Sequence, residues 1–404
     1  MRQMEVIKMR ILIKNVNIIL SDRIMRDGWL VTEDAVIDDF GTGCTPKGEF
    51  TQEIDGKGLY LSPGFVDTHV HGGRRHDFSD PEDECILDIM RLHFNGGTTT
   101  MLPTFTSETH ETYLRALKHL GEMVPSFGGM KDIPEFGGIH MEGPYSSGAA
   151  LGAQNTLTYR DPDINEMEQY IALAPYIRKW TAAPERNGGM MFGRWCEKHG
   201  IVASIGHSNA TLQQVQEAWD NGYKNITHLY SACSSYHRNG AYREGGIVEA
   251  AWLIDDMDVE MITDGVHLPK EFLQLIYKIK GPDKISMITD ATRYAGVDVP
   301  EGSFVPYVDG LKKGVWIENG VALVPDKSCF AGSIATYDRL VRTAYKTAEI
   351  NLVDVIKMAA LTPARVVGLD KQVGSIARGK RANLLIFDDD IRIKSIILRG
   401  EKVR

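Results

Sequence analysis

The chain has 404 residues, 43% hydrophobic and 25% charged, a composition that suits a soluble globular protein with one large domain and a smaller one. A formal net charge of −9 argues against a bulk nucleic-acid binder, so any anionic ligand must be met by a local group of cations. Cys44, Cys85, Cys196, Cys233 and Cys329 are scattered without a CxxC pair, which suits reduced thiols better than a disulfide frame or a zinc knot.

Met1 to Asn17 mixes Arg2, Glu5, Lys8, Arg10 and Lys14 among its apolar residues. It reads as neither signal peptide nor membrane span, and a cytoplasmic location is expected. From Ile11 to Leu61, short alternating runs such as Ile11–Val16 and Trp29–Val31 are broken by Gly, Asp and Pro, the pattern of β-hairpins. Gly379–Phe387 and Ile393–Gly400 have the same character. Residues 1–62 and 372–404 are therefore expected to form one small β-sandwich domain.

Across 63–371 the pattern changes. Strand-like segments near 65–71, 97–102, 136–142, 177–182, 201–207, 225–228, 258–264 and 284–290 alternate with helical ones such as Glu82–Phe94, Glu108–Glu122, Leu212–Trp219 and Lys270–Ile279. This succession of β/α units predicts an α/β fold, a (β/α)8 TIM barrel, with chemistry gathered at the C-terminal strand ends. A doubly wound open sheet would alternate likewise, but no G-x-G-x-x-G follows the first strand.

Five of these strand segments end in a polar residue. They supply His69 and His71, Glu142, His207, His228 and Asp290. Strand side chains alternate faces, so His69 and His71 point the same way. Imidazoles and carboxylates of this kind hold zinc, iron or manganese at catalytic sites, and four His with one Glu suffice for one or two ions. A lone histidine is more often a hydrogen-bonded core residue, but five ligands placed alike are not explained that way. A bound divalent cation acidifies water and polarises a carbonyl, and Asp290 could move the proton to a leaving amine. His76, His93, His110, His119, His140 and His199 lie in loops, in helices or one residue off the pattern, and receive no ligand role.

Pro63–Asp67 leading into His-x-His, His140-Met141-Glu142-Gly143-Pro144, Gly206–Thr211, Thr227–Tyr230, Asp264-Gly265-x-His267 and Thr289-Asp290-Ala291 together resemble the N-acetylglucosamine-6-phosphate deacetylases of the amidohydrolase superfamily. The similarity runs almost end to end, through Leu361–Arg365 and Gly374–Lys380. The resemblance implies hydrolysis of the acetamide of an N-acetylated amino-sugar 6-phosphate, one or two divalent metals (zinc first; iron, manganese or cobalt also accepted), and a homodimer. It also implies substrate contacts. Arg243 matches a phosphate-binding Arg often supplied across a dimer interface, His267 a His near sugar and phosphate, and Gln154 a sugar contact. Ser231, Ala232 and the Phe330-Ala331-Gly332-Ser333 turn would complete the pocket. Some members lack the His pair and keep one metal, whereas this chain retains it. Two departures bear on substrate: Ser231-Ala232-Cys233 stands where Asn-Ala-Met is usual, and Gly245 replaces a Pro. Galacto or other N-acyl hexosamine phosphates stay open as substrates. So does another amidase of the superfamily, although many cyclic amidases bridge their metals with a carboxylated Lys after strand 4, where this chain reads Trp180–Glu185. A non-catalytic scaffold should have lost ligands.

Overall fold

Both ends of the chain meet in one eight-stranded sheet in the computed structural model, which describes residues 9–307 and 314–404. Met1 to Lys8, the start of the expected small domain, lie outside the described residues. The strand Arg10–Ile19 is central. Ile24–Glu33 pairs antiparallel along one side of it and Val36–Thr42 follows, while Gln52–Asp55 and Tyr60–Pro63 run parallel along its other side. Leu384–Phe387 pairs antiparallel with Tyr60–Pro63, and Ile393–Leu398 and Glu401–Lys402 extend the sheet. Ile11, Ile13, Val16, Ile18, Leu30, Leu384, Ile386 and Ile397 gather into a core of their own, which makes this unit a small β-sandwich beside the barrel.

The barrel strands follow the expected order: β1 Phe65–Val70, β2 Thr98–Phe105, β3 Ile139–Glu142, β4 Ile177–Ala182, β5 Val202–Ile205, β6 Tyr223–Ile226, β7 Asp258–Ile262 and β8 Ile285–Ile288. Each pairs in parallel with the next. The ring closes between β8 and β1, where the Asp290 N–H donates to the His69 carbonyl at 2.9 Å and the His71 N–H donates to the Ala291 carbonyl at 2.8 Å. Every residue of β1, β2, β3, β7 and β8 is buried, as expected of parallel strands covered on both faces.

Helices α1 Asp83–Asn95, α2 His110–Phe127, α3 Ile164–Leu173, α4 Gly189–Lys198, α5 Leu212–Asp220, α6 Ile247–Leu253 and α7 Lys270–Lys280 separate the strands. α2 runs past the expected end at Glu122 and takes Pro125 into its last turn, where Met123 and Phe127 are buried against the core. That burial outweighs the hydrogen bond a late proline forfeits. α5 begins with a reciprocal cap: the Gln214 N–H donates to Thr211 Oγ1 at 3.3 Å and the Thr211 N–H donates to Gln214 Oε1 at 2.9 Å, fixing the exit of the loop after β5.

One element was not expected. Between β8 and the helix Tyr337–Arg342 lies an antiparallel sheet of Ser303–Val305, Val315–Glu318, Val321–Leu323 and Phe330–Ser333. Phe330–Ser333, read above as a turn, is thus a strand. Asn319 and Gly320, with φ of 52° and 73°, make the tight hairpin inside this sheet, a turn for which Asn-Gly is strongly preferred.

Candidate metal centre

β5, β6 and β8 end at Ile205, Ile226 and Ile288, and His207, His228 and Asp290 follow each of them at the same offset. All three have left-handed backbones, with φ of 48°, 29° and 46°. Such a conformation costs a non-glycine residue about 1–3 kcal/mol, and here it turns each chain off its strand with the side chain over the barrel mouth. Glu142 is the last residue of β3, His69 lies within β1 and His71 just beyond it.

The six side chains form two triads. His69, His71 and Asp290 each place one donor atom within 4.8 Å of the others, and so do Glu142, His207 and His228. Glu142 joins them: its Oε1 is 2.9 Å from His228 Nε2, 3.1 Å from His207 Nε2 and 3.3 Å from His69 Nε2, and its Oε2 is 3.3 Å from His71 Nε2. Asp290 Oδ1 lies 3.2 Å from His71 Nε2.

Hydrogen-bonding partners fix what these atoms can offer. His207 Nδ1 is 3.1 Å from the Ala150 carbonyl, which only accepts, so Nδ1 carries the proton and a neutral ring presents a lone pair at Nε2. That lone pair faces the Glu142 carboxylate and, at 3.1 Å, His228 Nε2. His69 is arranged alike: Nδ1 lies 3.0 Å from Glu260 Oε2 and Nε2 lies 3.1 Å from His71 Nε2. Acceptor facing acceptor in a buried site calls for positive charge between them. Burial opposes charge on His71, but hydrogen bonds to Asp290 and Glu142 outweigh it and push its pKa up to about 9. Burial works to raise Glu142, yet His207 and His69 hold it well below the usual carboxylate range. Against the same effect, His69 and His71 hold Asp290 at about 2. With no cation between the carboxylates, a protonated His71 supplies the positive charge; once it yields that proton, two anions among four imidazoles with nitrogen lone pairs turned inward form a donor set that fits one or two divalent cations.

Beneath this layer the barrel interior is polar in a way the sequence reading missed. Glu260 on β7 accepts from Lys179 Nζ on β4, and both are buried. Lys179 lies within β4, before the stretch Trp180–Glu185 where a bridging lysine would stand, and it is engaged by Glu260. Asp67 on β1 is pushed up to about 6 by burial, although Thr289 Oγ1 donates to it at 2.6 Å. His140 spends its two nitrogens on Thr104 Oγ1 at 3.3 Å and Thr181 Oγ1 at 2.8 Å.

A cavity of about 730 Å³ opens above the triads, touched by His71, Glu142, His207, His228 and Asp290. Gln154, Ser231, Ala232, His267, Phe330, Ala331 and Gly332 all line it. Gln154 Nε2 donates to Glu142 Oε2 at 3.4 Å, while Gln154 Oε1 accepts from Ser146 Oγ at 2.8 Å. His267 Nδ1 donates to Asp264 Oδ2 at 2.7 Å and its ring rests against Phe330. Arg243 is placed elsewhere. It is exposed on the hairpin His237–Asn239/Tyr242–Glu244, where Nη1 donates to the Ala241 carbonyl at 2.9 Å, and it does not line the cavity of its own chain.

Residues 60–403 match the sequence profile of the Amidohydrolase family. The chain belongs to the amidohydrolase family. Its curated relatives include the N-acetylglucosamine-6-phosphate deacetylase of Lysinibacillus sphaericus, 31% identical over 86% of each chain. They also include the N-acetylgalactosamine-6-phosphate deacetylase of Escherichia coli O157:H7, 30% identical over 84% of this chain and 87% of that one. Among solved structures, a variant of the Mycobacterium smegmatis N-acetyl-D-glucosamine-6-phosphate deacetylase in complex with N-acetyl-D-glucosamine-6-phosphate superposes with a TM-score of 0.86, at 29% identity over 98% of this chain and 99% of that one. Amidohydrolases are metal-dependent, in keeping with the donor set at the mouth of this barrel. No helix among the described residues is long and apolar enough to cross a membrane.

Proposed function

We propose that this amidohydrolase hydrolyses the acetamide of N-acetylglucosamine 6-phosphate to glucosamine 6-phosphate and acetate. The observation that carries the reading is the pair of donor triads sharing Glu142 beneath one cavity, in a chain about 30% identical to hexosamine-phosphate deacetylases over most of its length. His69, His71, Glu142, His207 and His228 would hold the metal, one or two ions, zinc first and iron, manganese or cobalt as alternatives with the same donors. A divalent cation held there would acidify water and polarise the amide carbonyl. Asp290, held ionised at about 2 beside His71, takes the proton released when water attacks and hands it to the departing amine nitrogen. Gln154 steadies Glu142 and meets the sugar. His267, its tautomer set by Asp264, presents Nε2 to sugar or phosphate, with Ser231, Ala232 and Phe330 to Gly332 around it.

Arg243 is assigned to the substrate phosphate of a second copy. Its position outside its own cavity fits a homodimer, and a guanidinium fork suits a phosphate. We assign residues 1–62 and 372–404 to the small domain, 63–371 to the barrel, and the cytoplasm as the location. A second reading, the galacto epimer phosphate as substrate, is favoured by the E. coli relative. Acetate release from the two epimeric 6-phosphates and from unphosphorylated N-acetylglucosamine tests both readings. Turnover of either phosphate, lost in Asp290→Asn, supports the deacetylase and selects the epimer; no turnover of any of the three by metal-loaded protein refutes it.

A further inference from the structure

Glu260 holds one member of each triad. Its Oε2 faces the His69 ring, with Nδ1 at 3.0 Å, and accepts the His228 backbone N–H at 3.2 Å. Its own carbonyl accepts the Leu229 N–H at 3.0 Å. The second oxygen, Oε1, accepts from Lys179. The acid is about 1% exposed and the lysine is fully buried, so water competes for none of these contacts. His228 is also the residue with φ of 29°, and the Glu260 hydrogen bonds on either side of it pin that left-handed turn.

From this geometry we infer that Glu260, charge-balanced by Lys179, is the positioning residue of the metal centre: it fixes the His69 tautomer and the His228 turn. An ionised carboxylate is acceptor-only, so His69 must carry its proton on Nδ1 and keep Nε2 bare toward His71 and Glu142. A carboxylate on the far nitrogen also makes the imidazole a better ligand, and losing such a partner costs about 10–100-fold in metal affinity. Lys179 lets the carboxylate stay ionised in the barrel interior; an unpaired buried charge would be expelled or neutralised. The inference rests on the proposed metal reading in one respect, that ions occupy the triads.

The test separates position from mere support of the fold. A buried ion pair can be replaced by apolar residues of similar size without loss of stability, so the double variant Glu260→Leu with Lys179→Met should unfold in urea near the wild-type midpoint. It should nevertheless bind zinc about 10–100-fold more weakly in chelator competition. In metal-stripped protein labelled with 15N-histidine, the His69 signal, assigned by its loss in His69→Asn, should report a proton on Nδ1 in the wild type and a mixed or Nε2-protonated ring in the double variant. If the double variant does not fold, the isosteric Glu260→Gln is used, with the same loss of zinc affinity expected. Wild-type zinc affinity and an unchanged His69 tautomer in whichever variant folds would overturn the inference. Should the wild-type protein bind no metal, the proposed function falls, while the His69 tautomer in the stripped protein still decides the role of Glu260.

Discussion

A fall in pH should loosen this protein through a histidine that takes no part in the chemistry. His93 on α1 is fully buried; its Nε2 donates to the Gly72 carbonyl at 2.9 Å, and its Nδ1 has no partner among the described residues. Gly72 directly follows His71, so this bond ties α1 to the chain leaving the metal centre. Burial pulls His93 down from 6.5 to about 4, with the Gly72 hydrogen bond opposing. Between those values the unfolded chain takes up a proton that the folded chain refuses. Stability contributed by the neutral ring is therefore complete above pH 6.5 and is lost as pH falls towards 4. The full loss is about 3 kcal/mol, of which about 2 kcal/mol falls between pH 7 and pH 5. His93→Gln keeps an amide donor for Gly72 and cannot titrate. Urea unfolding of wild type and variant at pH 7 and pH 5 isolates the effect, because titrations common to both cancel. The wild type should lose about 2 kcal/mol more than the variant. Equal losses would mean that His93 is protonated or hydrated in the folded protein, and the argument from its burial would be wrong.

Asp290→Asn should lower kcat by about 100- to 10,000-fold with little change in KM, read from acetate release under saturating metal. Chelation should lower the thermal midpoint and zinc should restore it, since an ion that binds only the folded chain adds about 4 kcal/mol at a thousand times its Kd; an unchanged midpoint would speak against metal at the triads. Arg243→Ala should raise KM for the phosphorylated substrate and leave the unphosphorylated sugar alone. Mixed dimers of Arg243→Ala with Asp290→Asn should regain activity if Arg243 serves the partner's cavity, and equal losses on both sugars would remove its phosphate role.

The barrel was legible because parallel strands covered on both faces leave apolar runs, and a run such as Val202–Ile205 announces itself by ending two residues before a histidine. The fold class was readable from the chain and agrees with the amidohydrolase match and its structural neighbours. The sheet from Ser303 to Ser333 was missed although Asn319-Gly320 marks its hairpin: strands of three or four residues carry too little periodicity to register. Glu260 and Lys179 were missed for a different reason. Lys179 follows Arg178 and Glu260 alternates with Val259 and Met261, so each charge reads as a solvent-facing position until its partner is known. Those partners lie 81 residues apart for Lys179 and Glu260 and 191 for His69 and Glu260, and only barrel closure brings them together.

The backbone shows why the polar strand terminators were nonetheless a sound guide. His207, His228 and Asp290 occupy left-handed positions where glycine or asparagine would sit with less strain. Together those three conformations cost several kcal/mol by the usual range for each, and the barrel supplies the restoring contacts: Glu260 on the His228 N–H and the His69 carbonyl on the Asp290 N–H. A chain selected only for stability would relax these turns. Histidine and aspartate stand in them with side chains converging on Glu142 or on His71 at about hydrogen-bond distance, so these three strained turns and the inward-facing lone pairs fall at one spot, the C-terminal mouth of the barrel. A centre that needs a cation to settle its lone pairs accounts for both.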